Sequence, residues 1–251
     1  MTLIDFTLDE HVAVVTMKNG ENWLGPPFMT EFIDVLDRVE QETGAQSLIV
    51  TSSHEKIFSN GLDLGWLLPA FRSKDTEALK DFFMLINRLL KRILLYPMVT
   101  IAAISGHAFA GGAVLACAFD FRFMRLDRGY FCLPEIDLGI PFLPGMDAIL
   151  KKAIPLYKLE EMQYTGKRLT AYECKQHHIV TEICDQTELL KRTLEYAKSL
   201  QKGRSVMGEM KARKYKDIVY AMDHDDNVCI ESESFHTHWI EYDRRTNQRE
   251  S

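Results

Sequence analysis

The segment VTIAAISGHAFAGGAVLACAFDFR, residues Val99–Arg122, decides the fold. Most of it belongs to a run of 27 residues, Ile93–Phe119, that contains no Asp, Glu, Lys or Arg. Such a run is long enough to span a membrane as one helix, but Pro97 and the glycine-rich middle argue against a single helix. Short apolar runs bounded by turn signals are typical of buried strands. We therefore predict a buried strand at Val99–Ile104, a glycine-rich turn, a buried helix at Gly112–Ala118, and no membrane span.

The composition of the 251 residues indicates a globular protein, with 46% hydrophobic and 26% charged residues. The net charge of −6 argues against a nucleic-acid partner. The five cysteines lack CxxC spacing, and no His, Cys and Asp cluster has ligand spacing, so we predict neither a disulfide framework nor a metal site. The first residues show no signal peptide, and together with reduced thiols this predicts a cytoplasmic protein.

Strand-like and helix-like patterns alternate in the first half of the chain, which favours an α/β core. The strands are predicted at His11–Met17, Ser47–Ser52, Val99–Ile104 and Phe119–Arg125, and the helices between them at Phe28–Thr43 and Glu77–Tyr96. From about Gly145 onward the pattern is mainly helical, including predicted helices at 205–222 and 227–244. We therefore expect an α/β core over residues 1–195 and a helical C-terminal region over residues 196–251.

Two glycine-containing loops each follow a predicted strand. They are FSNGLDL at Phe58–Leu64 and GHAFAGG at Gly106–Gly112, and the second also opens a predicted helix. Glycine lets a ligand approach the backbone closely, and a helix N-terminus presents free N–H groups. Two such loops can aim one N–H each at a single oxygen, although tight turns alone would also explain them. Neither loop contains a complete phosphate-binding fingerprint.

A third segment, LPEIDLGIP at Leu133–Pro141, places one acidic residue among apolar ones. Glu135 lies between Leu133 and Ile136, so partial burial is expected. Burial raises the pKa of a carboxyl group and can poise it for general acid–base work. A capping or salt-bridged glutamate is the alternative.

Taken in this order, the three segments resemble those of the crotonase (enoyl-CoA hydratase/isomerase) superfamily. The resemblance implies a spiral of ββα units with a helical C-terminal trimerisation region, and assembly as a homotrimer or hexamer. It also implies acyl-CoA thioester substrates of fatty acid metabolism. Coenzyme A would enter as part of the substrate, with no permanently bound cofactor and no metal.

The resemblance also assigns the site. The backbone amides of Leu62 and Gly111 would hold the oxygen of a thioester enolate, and Glu135 would be the acid–base residue. The implied substrate-binding residues around them are Ser59, Asn60, Gly61, Asp63, Leu64, Trp66, Gly112 and Val114. Ala110 and Ala113 stand where the family has glycines, so a small shift in the geometry of the turn is expected.

The acid–base residues decide the subfamily. By the resemblance, the first glutamate of the hydratases falls at Val114 and the second at Glu135, while the carboxylate of dienoyl-CoA isomerases and dehalogenases falls near Leu143. One carboxylate suits an enoyl-CoA isomerase that shifts a double bond from Δ3 to Δ2. Hydration, thioester hydrolysis, decarboxylation and a catalytically silent binding subunit are the alternatives.

Two further segments allow two interpretations each. Residues 65–75 would shape the acyl pocket, with Trp66, Leu67, Leu68 and Phe71 either lining an apolar tunnel or packed in a loop. The basic run Lys211–Lys216 is either a solvated helix face or a contact for the phosphates of coenzyme A.

Overall fold

The chain is built around a six-stranded sheet with strongly apolar central strands. In the computed structural model, which describes residues 2–250, its strands are, from one edge to the other, β1 (Ile4–Asp9), β2 (Val12–Met17), β4 (Ser47–Ser52), β7 (Val99–Ile104), β9 (Phe121–Arg125) and β11 (Glu182–Cys184). Only β1 runs antiparallel to its neighbour. All six residues of β7 are buried, as expected for a strand of a parallel sheet that is covered on both faces. The strand predicted at Val99–Ile104 is confirmed.

Shorter strands form two further sheets beside the large one. β5 (Ile57–Ser59), β8 (His107–Phe109) and β10 (Phe131–Cys132) pair in parallel, and so do β3 (Trp23–Leu24) and β6 (Gly61–Leu62). β3, β8 and β10 each follow a long strand and precede a helix, and β5 and β6 together lie between β4 and α2. This repeated order of long strand, short strand and helix is the predicted ββα unit.

Thirteen α-helices and one π-helical turn lie within the described residues. The helices are α1 (Pro26–Glu42), α2 (Leu64–Ser73), α3 (Thr76–Leu94), α4 (Gly111–Ala118), α5 (Glu135–Leu138), α6 (Pro144–Ala153), α7 (Leu156–Thr165), α8 (Ala171–Gln176), α9 (Gln186–Ser199), α10 (Arg204–Lys214), α11 (Lys216–Tyr220), α12 (Asp226–Ile230) and α13 (Glu233–Glu250), with the π-helical turn at Ala221–Asp225. All eight residues of α4 are buried. Within residues 2–250, no helix combines the length and the apolar character that a membrane crossing requires.

Residues 65–75 form most of a helix rather than a loop, which corrects the sequence-based interpretation. Asp63 caps α2, because its side chain accepts a hydrogen bond from the Trp66 amide at 3.1 Å. Leu67 and Phe71 are buried in the main core.

The C-terminal helices are divided differently from the prediction. The segment 205–222 is divided between α10, α11 and the π-helical turn, and 227–244 is divided at Ser232. The hydroxyl of Ser232 accepts a hydrogen bond from the Phe235 amide at 3.2 Å, so α13 begins as a new helix. Residue 195, where the core is predicted to end, lies inside α9, whose Leu189 and Ala197 pack against the large sheet.

Candidate active site

The three residues predicted to be catalytic line one cavity. Leu62, Gly111 and Glu135 all contribute to its wall, and the cavity has a volume of about 380 Å³. Most of the remaining wall is apolar and includes Leu64, Phe142, Leu143 and Met146. A small apolar cavity with few polar groups is typical of a ligand site.

The two glycine loops are in direct contact beside this cavity. Gly61 has φ +88°, a conformation that favours glycine, and a β-carbon placed on it would lie 2.7 Å from the Gly111 nitrogen. A β-carbon on Gly111 would in turn lie 3.3 Å from the Leu62 nitrogen. Gly111 is the first residue of α4, so its amide has no acceptor within the helix. The loops therefore bring two backbone amides together at a helix N-terminus.

Ala110 adopts a strained conformation next to these amides. Its φ is 51° and its ψ is −127°, a region that costs a residue with a β-carbon about 1–3 kcal/mol. Hydrogen bonds hold both sides of the residue. Its amide donates to the Cys132 carbonyl at 3.0 Å, and its carbonyl accepts from the Ala113 amide at 2.9 Å. The surrounding structure thus keeps a turn suited to glycine although the residue is alanine.

Glu135, the first residue of α5, has a desolvated carboxyl group. Its Oε2 is buried and has no hydrogen-bond partner within residues 2–250. Burial raises the pKa of Glu135 from 4.5 to about 8, and a hydrogen bond to its own backbone offsets part of this rise. Among the described residues that line the cavity, it is the only one with a carboxyl group. Such a group suits proton transfer near neutral pH.

His107 also lines the cavity, although nothing in the sequence pointed to it beyond its place in the second loop. Its Nδ1 accepts a hydrogen bond from the Tyr130 amide at 3.2 Å, which leaves Nε2 to carry the proton of the neutral ring. Burial lowers the pKa of His107, and the positive charges of Arg168 and Arg128 lower it further. The imidazole is therefore expected to be neutral.

The implied substrate-binding residues divide into two groups. Asn60 and Leu64 line the cavity. Ser59 instead fixes the first loop, because its hydroxyl donates to the Asn22 carbonyl at 2.8 Å and accepts from the Gly61 amide at 3.2 Å. Gly61 likewise shapes this loop, and Asp63 caps α2 as described above.

Gly112, Val114 and Trp66 lie behind the wall of the cavity rather than in it. A β-carbon on Gly112 would lie 2.2 Å from the Ser59 carbonyl oxygen, so glycine is needed for the close approach of the two loops. Val114 is 1% exposed and belongs to the main core. Trp66 stacks on Phe82, with ring centroids 5.0 Å apart, so the tunnel interpretation of this segment is not supported.

The last helix contributes to the cavity, which was not expected from the sequence. Phe235, Trp239 and Tyr242 of α13 all line it. They are spaced i, i+4 and i+7, which is the pattern of one helix face. That spacing was the available signal, but only a trimerisation role was expected for this region.

Buried cations hold the other end of α4. The Lys152 ammonium donates to the carbonyls of Cys117, Ala118 and Phe119 at 3.0, 3.1 and 2.7 Å, and Arg122 donates to the Phe119 carbonyl at 2.9 Å. Burial and the nearby charge of Arg122 lower the pKa of Lys152 to about 7. The last carbonyls of α4 are therefore satisfied, which fixes the helix that carries Gly111.

The basic run Lys211–Lys216 does not form one exposed surface. Lys211 is buried and donates to Asp120 at 2.6 Å and to the Met98 carbonyl at 2.8 Å. Arg213 pairs with Glu209 in the same helix. No group of three or more His, Cys, Asp or Glu residues in the described part of the chain is arranged to hold a metal ion.

Comparison with known proteins settles the family. Residues 7–245 match the family model described as enoyl-CoA hydratase/isomerase. The chain belongs to this family. "Enoyl-CoA delta isomerase 3" of Arabidopsis thaliana is 30% identical over 207 residues, which cover 80% of this chain and 81% of the relative. "Short-chain-enoyl-CoA hydratase" of Clostridium acetobutylicum is 25% identical over 226 residues, covering 89% and 84%.

The structural comparison confirms the predicted crotonase fold. The crystal structure of human mitochondrial delta3-delta2-enoyl-CoA isomerase superimposes with a TM-score of 0.83 at 22% identity, covering 99% of this chain and 100% of that one. Together with the family match, this fold makes the chain an enzyme of the enoyl-CoA hydratase/isomerase family.

Proposed function

We propose that this member of the enoyl-CoA hydratase/isomerase family converts 3-enoyl-CoA thioesters into 2-enoyl-CoA thioesters. The observation that carries the proposal is the presence of a single carboxyl group, that of Glu135, in the described wall of the cavity formed around the Leu62 and Gly111 amides. A double-bond shift needs one base that later acts as an acid. Hydration requires water activation in addition to handling of the α-proton.

In the proposed reaction, ionised Glu135 takes a proton from C2 of the substrate. The electron pair of the C2–H bond forms a C1=C2 bond, and the thioester oxygen becomes negatively charged. The C3=C4 electrons then take the same proton at C4, the C2=C3 bond forms, and the C1=O double bond is restored. Glu135 ends ionised, so the step balances without another reactant.

The amides of Leu62 and Gly111 donate hydrogen bonds to the oxygen while it is negative. The Gly111 amide lies at the N-terminus of α4, where the helix dipole also favours negative charge. One such donor contributes about 10²–10³-fold to the rate. The hydrogen bonds and the packing that fix both loops hold the two amide donors in place before the negative charge develops.

Positive charge at one side of the cavity and apolar surface at the other orient the substrate. Arg168 lies over the Phe109 ring at 5.5 Å, and Phe109 and His107 line the less buried side of the cavity. Arg168 and Arg128 are exposed there and suit the phosphates of coenzyme A. The acyl chain then extends toward the apolar side of the cavity.

The test uses Glu135→Gln, with Asp137→Asn as the matched control. Asp137 is an exposed carboxylate in the same short helix, and it does not line the cavity. Formation of the conjugated 2-enoyl thioester from 3-hexenoyl-CoA is followed by ultraviolet absorbance, and binding of saturated hexanoyl-CoA is measured by calorimetry. We expect Glu135→Gln to bind normally and to lose at least about 10³-fold in kcat, while Asp137→Asn keeps both.

Parallel assays separate the other reactions. Hydration of 2-hexenoyl-CoA, thiol release from acyl-CoA and release of CO₂ from malonyl-type thioesters are measured on the native enzyme. The proposal is wrong if any of these is faster than isomerisation, or if no acyl-CoA is turned over. The same preparation, examined by light scattering, tests the expected homotrimer or hexamer.

A further inference from the structure

A cluster of four aromatic rings, three of which line the cavity, closes its apolar side. Phe235 and Trp239 of α13 line it together with Phe83 of α3, and these three side chains are only 1–5% exposed. Trp239 stacks on Phe71 of α2 with centroids 5.0 Å apart and planes 10° apart, and Phe83 meets Phe235 edge-on at 5.1 Å. Stacked and edge-on pairs of buried rings pack firmly, so this side of the cavity is a solid wall.

An ion pair between a half-exposed arginine and a buried carboxylate ties that wall to the rest of the site. Arg72 at the end of α2 donates two hydrogen bonds to Asp243 of α13, from Nε at 2.7 Å and from Nη2 at 2.5 Å. Asp243 is 7% exposed, and the two-point pairing fixes the direction of the Arg72 guanidinium against it. Because α2 also begins at the cap that follows Leu62, the pair links α13 to the loop that carries one of the two amides.

We propose that Trp239 and Phe235 form the end wall of the acyl pocket and limit this enzyme to short- and medium-chain acyl-CoA thioesters. This proposal rests on the proposed function for the direction in which the acyl chain lies. The volume of about 380 Å³ is near the lower end of the roughly 300–1,000 Å³ that ligand pockets span. The wall is apolar, so it accepts a chain that ends in a methyl group.

The test compares the native enzyme with Trp239→Ala on 3-enoyl-CoA substrates of increasing chain length. Removal of the indole opens space beyond the wall. Each further methylene that the new space takes up is worth about a fourfold gain in kcat/KM. We therefore expect the native profile to fall steeply beyond medium chains, and the variant to regain at least tenfold for the longer substrates relative to hexenoyl-CoA.

Trp66→Ala is the matched control. Trp66 also stacks on a phenylalanine at 5.0 Å, but it does not line the cavity. Its removal deletes the same side chain, and we expect the chain-length profile to keep its native shape. Trp239→Phe, which retains a ring, is the second variant in case Trp239→Ala does not fold, and it should shift the profile by a smaller amount in the same direction.

Binding separates a failure of this proposal from a failure of the proposed function. Dissociation constants for saturated acyl-CoA thioesters of increasing length need no turnover, and they should show the same limit and the same shift. The proposal is overturned if the native enzyme binds long chains as tightly as medium ones. It is equally overturned if folded Trp239→Ala or Trp239→Phe keeps the native profile.

Discussion

The pH dependence of isomerisation is the sharpest consequence of the Glu135 environment. The proposed reaction requires ionised Glu135, and burial raises the pKa of this group to about 8. In the free enzyme only about one molecule in a hundred is then ionised at pH 6 and about one in eleven at pH 7. We therefore expect kcat/KM to rise about tenfold per pH unit below the pKa and to level off about one unit above it.

The measurement is kcat/KM for 3-hexenoyl-CoA between about pH 5.5 and pH 9.5, from the absorbance of the conjugated product at constant ionic strength. The residual rate of Glu135→Gln should not follow this curve, because glutamine does not titrate. A native profile that is flat below pH 7, or that bends near the ordinary glutamate value of 4.5, would refute the desolvated carboxyl group. A bend near pH 8 that persists in Glu135→Gln would assign the titration to another group.

Three predictions concern stability, each measured by urea unfolding. Because the folded-state pKa of Glu135 is raised, folding is penalised progressively as pH rises from 4.5 to about 8, by at most about 5 kcal/mol. Glu135→Gln should therefore gain stability over the native chain at pH 9 but not at pH 4, and equal pH profiles would contradict this. Ala110→Gly removes the cost of a positive φ and should stabilise by about 1 kcal/mol, whereas a loss would show that the turn is unstrained. Asp226→Ala should cost about 2–3 kcal/mol, because its buried carboxylate accepts from the Gly145 amide at 2.7 Å and from Asn87 at 2.8 Å, and an unchanged midpoint would contradict that role.

Much of the core could be predicted from the sequence because its signals are local. β4 and β7 agree with the predicted bounds, since turn residues flank each apolar stretch. The short strands could not be predicted in the same way. β3 and β6 have two residues each, which is too few for a periodic pattern, and they exist because they pair with each other.

The site was predictable where backbone geometry dictates residue type. Glycine at 61 and 112 marks loops whose contact leaves no room for a β-carbon, and Glu135 is conspicuous in an apolar segment. The wall of the cavity was not predictable to the same extent. Whether Trp66 or Trp239 faces the cavity depends on how α2, α3 and α13 pack, and in the folded chain each of them stacks on a phenylalanine.

Because the last helix lines the cavity, the cavity is completed late in folding. Its wall joins Trp23, near the start of the chain, to Tyr242 in α13, so a complete cavity forms only after these distant segments have docked. Contacts between distant parts of a chain form late, because loop closure must be completed first. Bound acyl-CoA should therefore slow amide hydrogen exchange most strongly in α13, the element whose docking completes the cavity. Ligand affinity then reports on whether the whole domain has finished folding, and not only on the few residues that touch the thioester.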